Sequence, residues 1–237
     1  MKILLTVFIF LINTNVFSQR VIDVSKNNSA ATSNLFYAVG GVPMNNAKYV
    51  AIVEGSPYYN EVFFKGKIIL SGGKIYDSLK LRLDLMDNTV HYLAADEEEM
   101  IATTPIKSIC IKNPLLNKED QFDHSDFIKT TSKFETGWYQ LLDTGVVILY
   151  KRYFKSIKEN KPYGSATVEQ TINTTNYYYI LINLVFTPIK KIKQLPDMLQ
   201  DKKTELQEYI NNKSLTGKSD KDYLELVAYY NGLVAKK

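Results

Sequence analysis

Leu79-Lys80-Leu81-Arg82-Leu83-Asp84-Leu85 alternates apolar and charged residues without a break. Successive side chains of a strand point to opposite faces, so this period of two buries the leucines and wets the charges. Residues 63–70 and 75–85 flank Ser71-Gly72-Gly73-Lys74, a hairpin-type turn. Asp87-Asn88 reads as the next turn, because both residues tolerate left-handed backbone. Short β-type runs at 90–94, 100–103 and 106–111 continue the pattern. Their spacing predicts an antiparallel meander.

Farther from this stretch, 113–126 reads as a polar connection and 127–133 as another strand. Residues 138–142 and 146–154 bracket Asp143-Thr144-Gly145, a second hairpin turn. Residues 158–170, with Pro162 and Gly164, read as a loop. A final strand pair is expected at 177–182 and 184–189 around Asn183. The period then changes. Leu195, Met198, Leu199, Leu206, Tyr209 and Ile210 mark one face of a helix, with Pro196 in its first turn, where a missing N–H costs nothing. Gly217 interrupts the chain. Ser219 and Asp222 form a variant capping box for a second helix striped by Tyr223, Leu226, Val227 and Tyr230. The fold class is therefore α+β, mainly antiparallel β as a meander or partly closed barrel, with a C-terminal αα-hairpin.

The N-terminus carries an address. Lys2 is the only charge before Arg20, residues 3–12 are apolar except Thr6, and Val16-Phe17-Ser18 offers small residues for a signal peptidase. Residues 1–18 read as a secretory signal peptide. The run is too short for a spanning helix, which needs about 20 apolar residues. No Cys lies near the exit to take a lipid. The expected organisation is 1–18 signal, 19–46 a loosely ordered lead-in, 47–189 a β-rich body and 190–237 a helical hairpin packed on it. The mature chain is expected in the periplasm or outside the cell, with no membrane span.

Composition narrows the chemistry. The 237 residues hold one Cys and two His, which leaves no disulfide framework and no multi-Cys metal site. The formal charge of +4 falls to +3 when Lys2 leaves with the signal, too small an excess for a nucleic-acid binder. Cys110, between Ile109 and Ile111, is expected to be buried and inert. Asp123-His124-Ser125-Asp126 contains the residue types of a hydrolase triad, but neighbours in sequence cannot converge as a triad does. His91 is expected on the wet face of a strand. Asp96-Glu97-Glu98-Glu99 lacks the alternating ligands of a calcium loop. Lys190, Lys191, Lys193, Lys202 and Lys203 read as a solvated helix flank. No nucleotide or nucleophile-elbow motif is present. No cofactor, metal or catalytic residue is implied.

Tyrosine outnumbers phenylalanine by 17 to 11. Tyr177-Tyr178-Tyr179 reads as sheet surface, or else as a stacking platform for a sugar or peptide. Tyr177, Tyr179 and Trp138 are thus the candidate ligand-binding residues of a non-enzymatic envelope module, whose partner would be a protein or glycan. The alternative is a hydrolase of an envelope polymer using carboxylates such as Asp84, Asp123 or Asp126.

The block 54–82, EGSPYYNEVFFKGKIILSGGKIYDSLKLR, joined to the 177–182 strand, Asp201-Lys202-Lys203 with Glu205-Leu206, and Leu226-Val227 with Tyr229-Tyr230-Asn231, resembles a group of small secreted proteins of Bacteroidota. The resemblance spans roughly residues 45–235. It implies export and the order β-body then helical pair, and it carries over no catalytic residue. The apolar Leu181-Ile182-Asn183-Leu184 departs from the charged or Gly-containing turns of that group. Intact-mass analysis of secreted material is expected to give Gln19 as the first residue, and a mature form retaining Met1 contradicts the signal reading.

Overall fold

A computed structural model describes residues 21–24, 39–44, 51–94, 96–114, 117–164 and 166–235. The signal segment 1–18, its exit, most of the lead-in and residues 47–50 lie outside the described residues. Among the described residues thirteen strands share one mainly antiparallel sheet. They are β1 (Val21–Asp23), β2 (Val42–Pro43), β3 (Ile52–Glu54), β4 (Phe64–Leu70), β5 (Ile75–Asp84), β6 (Thr89–Leu93) and β7 (Glu99–Ile101), followed by β8 (Ile106–Asn113), β9 (Lys118–His124), β10 (Trp138–Asp143), β11 (Ile148–Asn160), β12 (Glu169–Ile182) and β13 (Val185–Ile189). The order is β13-β12-β11-β10-β9-β8-β4-β5-β6-β7-β2, so the sheet is open rather than closed into a barrel. A short helix α1 (Leu195–Met198) precedes α2 (Lys203–Lys213) and α3 (Asp220–Ala235).

The leucine alternation sits in β5, where Leu79, Leu81 and Leu83 are all buried. Tyr76 is buried too, three residues before Leu79, which a strict period of two forbids. A bulge resolves this. Ile68 pairs with Tyr76 and Gly66 with Leu79, so Asp77 and Ser78 together oppose Lys67. Ser78 takes φ 64 and its N–H is held by Asp77 Oδ1 at 2.6 Å. The extra residue resets the phase so that both halves of β5 feed one core. That core gathers Ile68, Tyr76, Leu81, Tyr92, Ile109 and Phe122.

Two short parallel strands extend the sheet off the main path. β1 pairs with Ile75 to Asp77 of β5, and β3 pairs with Gln170 and Thr171 of β12. β1 and β2, which pairs antiparallel with β7, place sheet strands near both ends of the lead-in, and Val39 beside β2 is fully buried. β9 runs through the stretch read as a connection. Residues 127–133 form a 3-10 turn and loop instead of a strand, and the long β11 and β12 take residues 158–160 and 169–170 from the two ends of the expected loop at 158–170. At the β12–β13 turn, Asn183 and Leu184 both take positive φ, and the Leu184 carbonyl accepts from Thr130 Oγ1 and the Thr131 amide.

The first helical stripe is split at Leu199, whose backbone leaves the helical region, while Pro196 sits in the first turn as its chemistry requires. The Ser219–Asp222 cap forms: the Ser219 hydroxyl donates to Asp222 Oδ1 at 2.9 Å. Leu206, Ile210, Leu226 and Val227 pack on Leu149 and Ile180 of the sheet. Each such side chain contributes about 1.5–3 kcal/mol by leaving water, which short helices cannot recover alone. The opposite face of the same strands carries a smaller core of Tyr139, Tyr150, Leu181 and Phe186. Cys110 is buried and unpaired, and burial pushes its thiol up to about 11. Ser78→Val, a β-branched residue at positive φ, is expected to lower stability by about 1–2 kcal/mol, whereas Ser78→Gly is expected to match or exceed the wild type in urea unfolding.

Candidate functional site

Tyr177, Tyr178 and Tyr179 lie on β12 and alternate between its faces. Tyr178 turns toward the helices and stacks on Tyr223 of α3, rings 3.9 Å apart and 17° from parallel. Tyr179 goes the other way and stacks on Phe186 at 5.0 Å. Tyr177 shares that face but is 45% exposed, with its ring edge toward Phe154. The β13 ladder stops at Tyr178, and β3 joins only at Gln170 and Thr171. Between them, no described strand pairs with the β12 edge. A concavity of about 650 Å³ opens there, lined by Asn176, all three tyrosines, Pro188, Ile189, Lys190, Gly217, Lys218 and Tyr223.

One wall of this concavity is sheet and the other is the approach to α3, so its shape depends on how the helices are fixed. Lys151 of β11 is 5% exposed, and its ammonium meets Asp220 Oδ1 at 2.9 Å and Oδ2 at 2.8 Å. The Tyr178 hydroxyl donates to the same carboxylate. Burial pushes the Asp220 carboxyl up, but the bonds from Lys151 and Tyr178 outweigh it and hold the group below the ordinary carboxylate value. A second tie lies at the far end of α3. The Val147 amide donates to Asn231 Oδ1 and Asn231 Nδ2 donates back to the Val147 carbonyl, both at 2.9 Å. The rim loop is shaped by Gly217 at φ 75, where a Cβ would press within 3.0 Å of Ile192. Amides of Thr216 and Gly217 donate to Asp222 Oδ2 at 3.0 and 2.7 Å.

Trp138 belongs elsewhere. It is 3% exposed, its indole N–H donates to the Asn88 carbonyl at 3.0 Å, and its ring meets His124 edge-on at 5.0 Å. It borders a smaller hollow of about 270 Å³ that also contains Asp126. The structure thus brings Tyr177 and Tyr179 together and leaves Trp138 apart.

The three carboxylates considered for acid–base work are also separated. Asp123 lines a third concavity of about 480 Å³ and accepts from the Tyr150 hydroxyl and Gln121 Nε2, each at 3.0 Å. Burial raises its pKa. Asp84 is buried and accepts the Met86 and Asp87 amides, closing the β5–β6 turn, and burial again raises its pKa. Asp126 faces the hollow beside Trp138. Neither of those two concavities contains a second carboxylate, and none of the concavities described contains Asp84.

His91 is 1% exposed rather than on a wet face. Its Nδ1 meets Glu99 Oε1 at 2.5 Å and its Nε2 meets Thr89 Oγ1 at 3.0 Å. Arg82 shares the same Glu99 oxygen and lies 3.8 Å over the Tyr58 ring. The bonds from His91 and Arg82 overcome burial and lower the Glu99 pKa. The order hydroxyl, imidazole, carboxylate is that of a hydrolase relay, but here the imidazole is sealed from solvent and the carboxylate is pinned by a guanidinium. Strand pairing explains the miss: Arg82 faces His91 across β5–β6, and His91 faces Ile101 across β6–β7, so Glu99 arrives from a neighbouring strand. Among the described residues no group of three His, Cys, Asp or Glu side chains could hold a metal ion. No helix among them is long and apolar enough to cross a membrane.

The chain matches no protein-family model, and no curated protein or solved structure is detectably similar to it. The site therefore rests on its own geometry. Asp220→Ala strands a buried ammonium and is expected to cost about 3 kcal/mol in urea unfolding, while Lys151→Met, which leaves a half-exposed carboxylate, costs less. Because the folded Asp220 pKa is depressed, the stability from this pair is present above the ordinary value of 3.8 and is lost as pH falls through the folded value. Acid titration of the wild type against Asp220→Asn checks this; equal acid midpoints would count against the tie.

Proposed function

We propose that the protein is an exported, non-enzymatic binding module that holds an anionic carbohydrate in the concavity between the open edge of β12 and the start of α3. The observation that carries this reading is that a half-exposed tyrosine, an amide residue and two lysines line one hollow: Tyr177, Asn176, Lys190 and Lys218. A tyrosine ring offers an apolar face to the C–H side of a sugar while its hydroxyl stays wet. Ammonium groups on flexible stems suit carboxylate or sulfate substituents as point charges. The Lys151–Asp220 and Tyr178–Tyr223 contacts support the same reading, because they fix both walls before any ligand arrives, which lowers the ordering cost of binding. The signal-type segment at the N-terminus supports a site of action in the cell envelope or beyond.

The hydrolase reading requires two carboxyl groups roughly 5–10 Å apart in one pocket, and neither the hollow of Asp123 nor that of Asp126 offers the second. Calorimetric titration with acidic envelope oligosaccharides and their neutral counterparts tests the binding reading. The acidic forms are expected to bind, with affinity falling as salt rises. Tyr177→Ala and the double variant Lys190→Ala/Lys218→Ala are each expected to weaken binding about tenfold. Equal binding of neutral and acidic forms, or variants indistinguishable from wild type, would reject this ligand class.

A further inference from the structure

β11 has a second open edge that the proposed ligand site does not use. On its β10 side the ladder ends at Lys151, and no described strand pairs with the remainder of β11 on that side, although it continues to Asn160. On the other side β12 accompanies it throughout, so the open stretch is rigid, hydrogen-bonded ribbon rather than loose chain. Phe154 is 42% and Ile157 40% exposed there. A long open edge with apolar residues invites a further strand.

We infer that this edge is a self-association surface, on which β11 of a second copy pairs antiparallel about Ile157 to join two sheets into one. The register follows from charge. A two-fold axis makes each residue face its image about the centre. Centring on Lys155 or Lys158 would place like charges face to face, and centring on Phe154 would leave only a few pairs before β10 intervenes. Centring on Ser156 sets Lys155 against Ile157. Centring on Ile157 sets Ile157 against Ile157, Lys155 against Glu159 twice, and Ser156 against Lys158, over the seven residues 154–160. Opposite charges directly across a ladder are favourable and like charges are not. The groups concerned keep capacity for this. Lys155 Nζ donates to Thr174 Oγ1 at 3.0 Å and retains further donors. Glu159 Oε1 accepts from Gln170 Nε2 at 3.0 Å, which leaves its other oxygen. Lysines on an open edge ordinarily repel a second strand; in this register Lys155 meets a carboxylate and Lys158 a serine.

Sedimentation equilibrium of the mature protein over a wide concentration range tests the proposal. The wild type is expected to dimerise. Lys155→Glu and Glu159→Lys each turn both ion pairs into like-charge pairs and should weaken the dimer about tenfold or more. The double variant Lys155→Glu/Glu159→Lys restores opposite charges in this register and should return to near wild-type association. Ile157→Asp should be monomeric, with circular dichroism confirming a folded sheet. A wild type that stays monomeric throughout, single swaps without effect, or a double swap that fails to recover would each overturn it.

Discussion

A lysine shut away from water must find a carboxylate, and in this molecule that requirement joins the two halves of the fold. Lys151 comes from the middle of the sheet and Asp220 from the first residue of α3. An unpaired ammonium at that depth would be costly, so the helical pair cannot slide along the sheet without exposing or stranding a charge. Tyr178 bonds to the same carboxylate and stacks on the next turn of α3, which makes the contact directional. The apolar residues of the helical region, from Leu195 to Tyr230, supply burial energy, but apolar contact alone tolerates many positions. The charge selects one.

Polar side chains do similar work deeper in the sheet. Asp120 accepts from the Tyr59 hydroxyl and from Gln140 Nε2, both at 2.8 Å, and the Tyr153 hydroxyl donates to Gln140 Oε1 at 2.6 Å. These links tie the loop before β4 to β9, β10 and β11. Each buried donor or acceptor left single would cost free energy, so such chains favour one arrangement over near neighbours. With no disulfide and no metal cluster among the described residues, specificity rests on networks of this kind.

How much of this was legible in the sequence depended on whether buried positions were apolar. The burial of Leu79, Leu81, Leu83 and Leu85, the Ser71–Lys74 turn, the Ser219 cap and the stripe from Tyr223 to Tyr230 follow from apolar spacing and local turn chemistry, and all formed, whereas the charge expected to be wet at Asp84 is buried on the turn amides. β9 did not announce itself, because its core-facing residues include Asp120 beside Phe122, and a buried aspartate looks like a loop until its partners on other strands are known. His91 was hidden for the same reason. Ser78 concealed the bulge, since nothing in a serine reports a positive φ. For the site, the tyrosine run was visible, but the burial of Trp138 depends on strands distant in sequence, and the contribution of Gly217 and Lys218 depends on long-range packing of the helices.

The two parallel strands near the N-terminus impose an order of events. β1 needs β5, and β3 needs the start of β12, which is synthesised long afterwards. A chain emerging N-terminus first finds a partner for β1 early, but it must carry β3 unpaired until most of the sheet exists, and contacts so distant in sequence are slow to close. Residues 52–54, made early, are among the last to find their place, and the short β3 ladder should be among the first to open in the native state, as a poorly protected part of the sheet in hydrogen exchange.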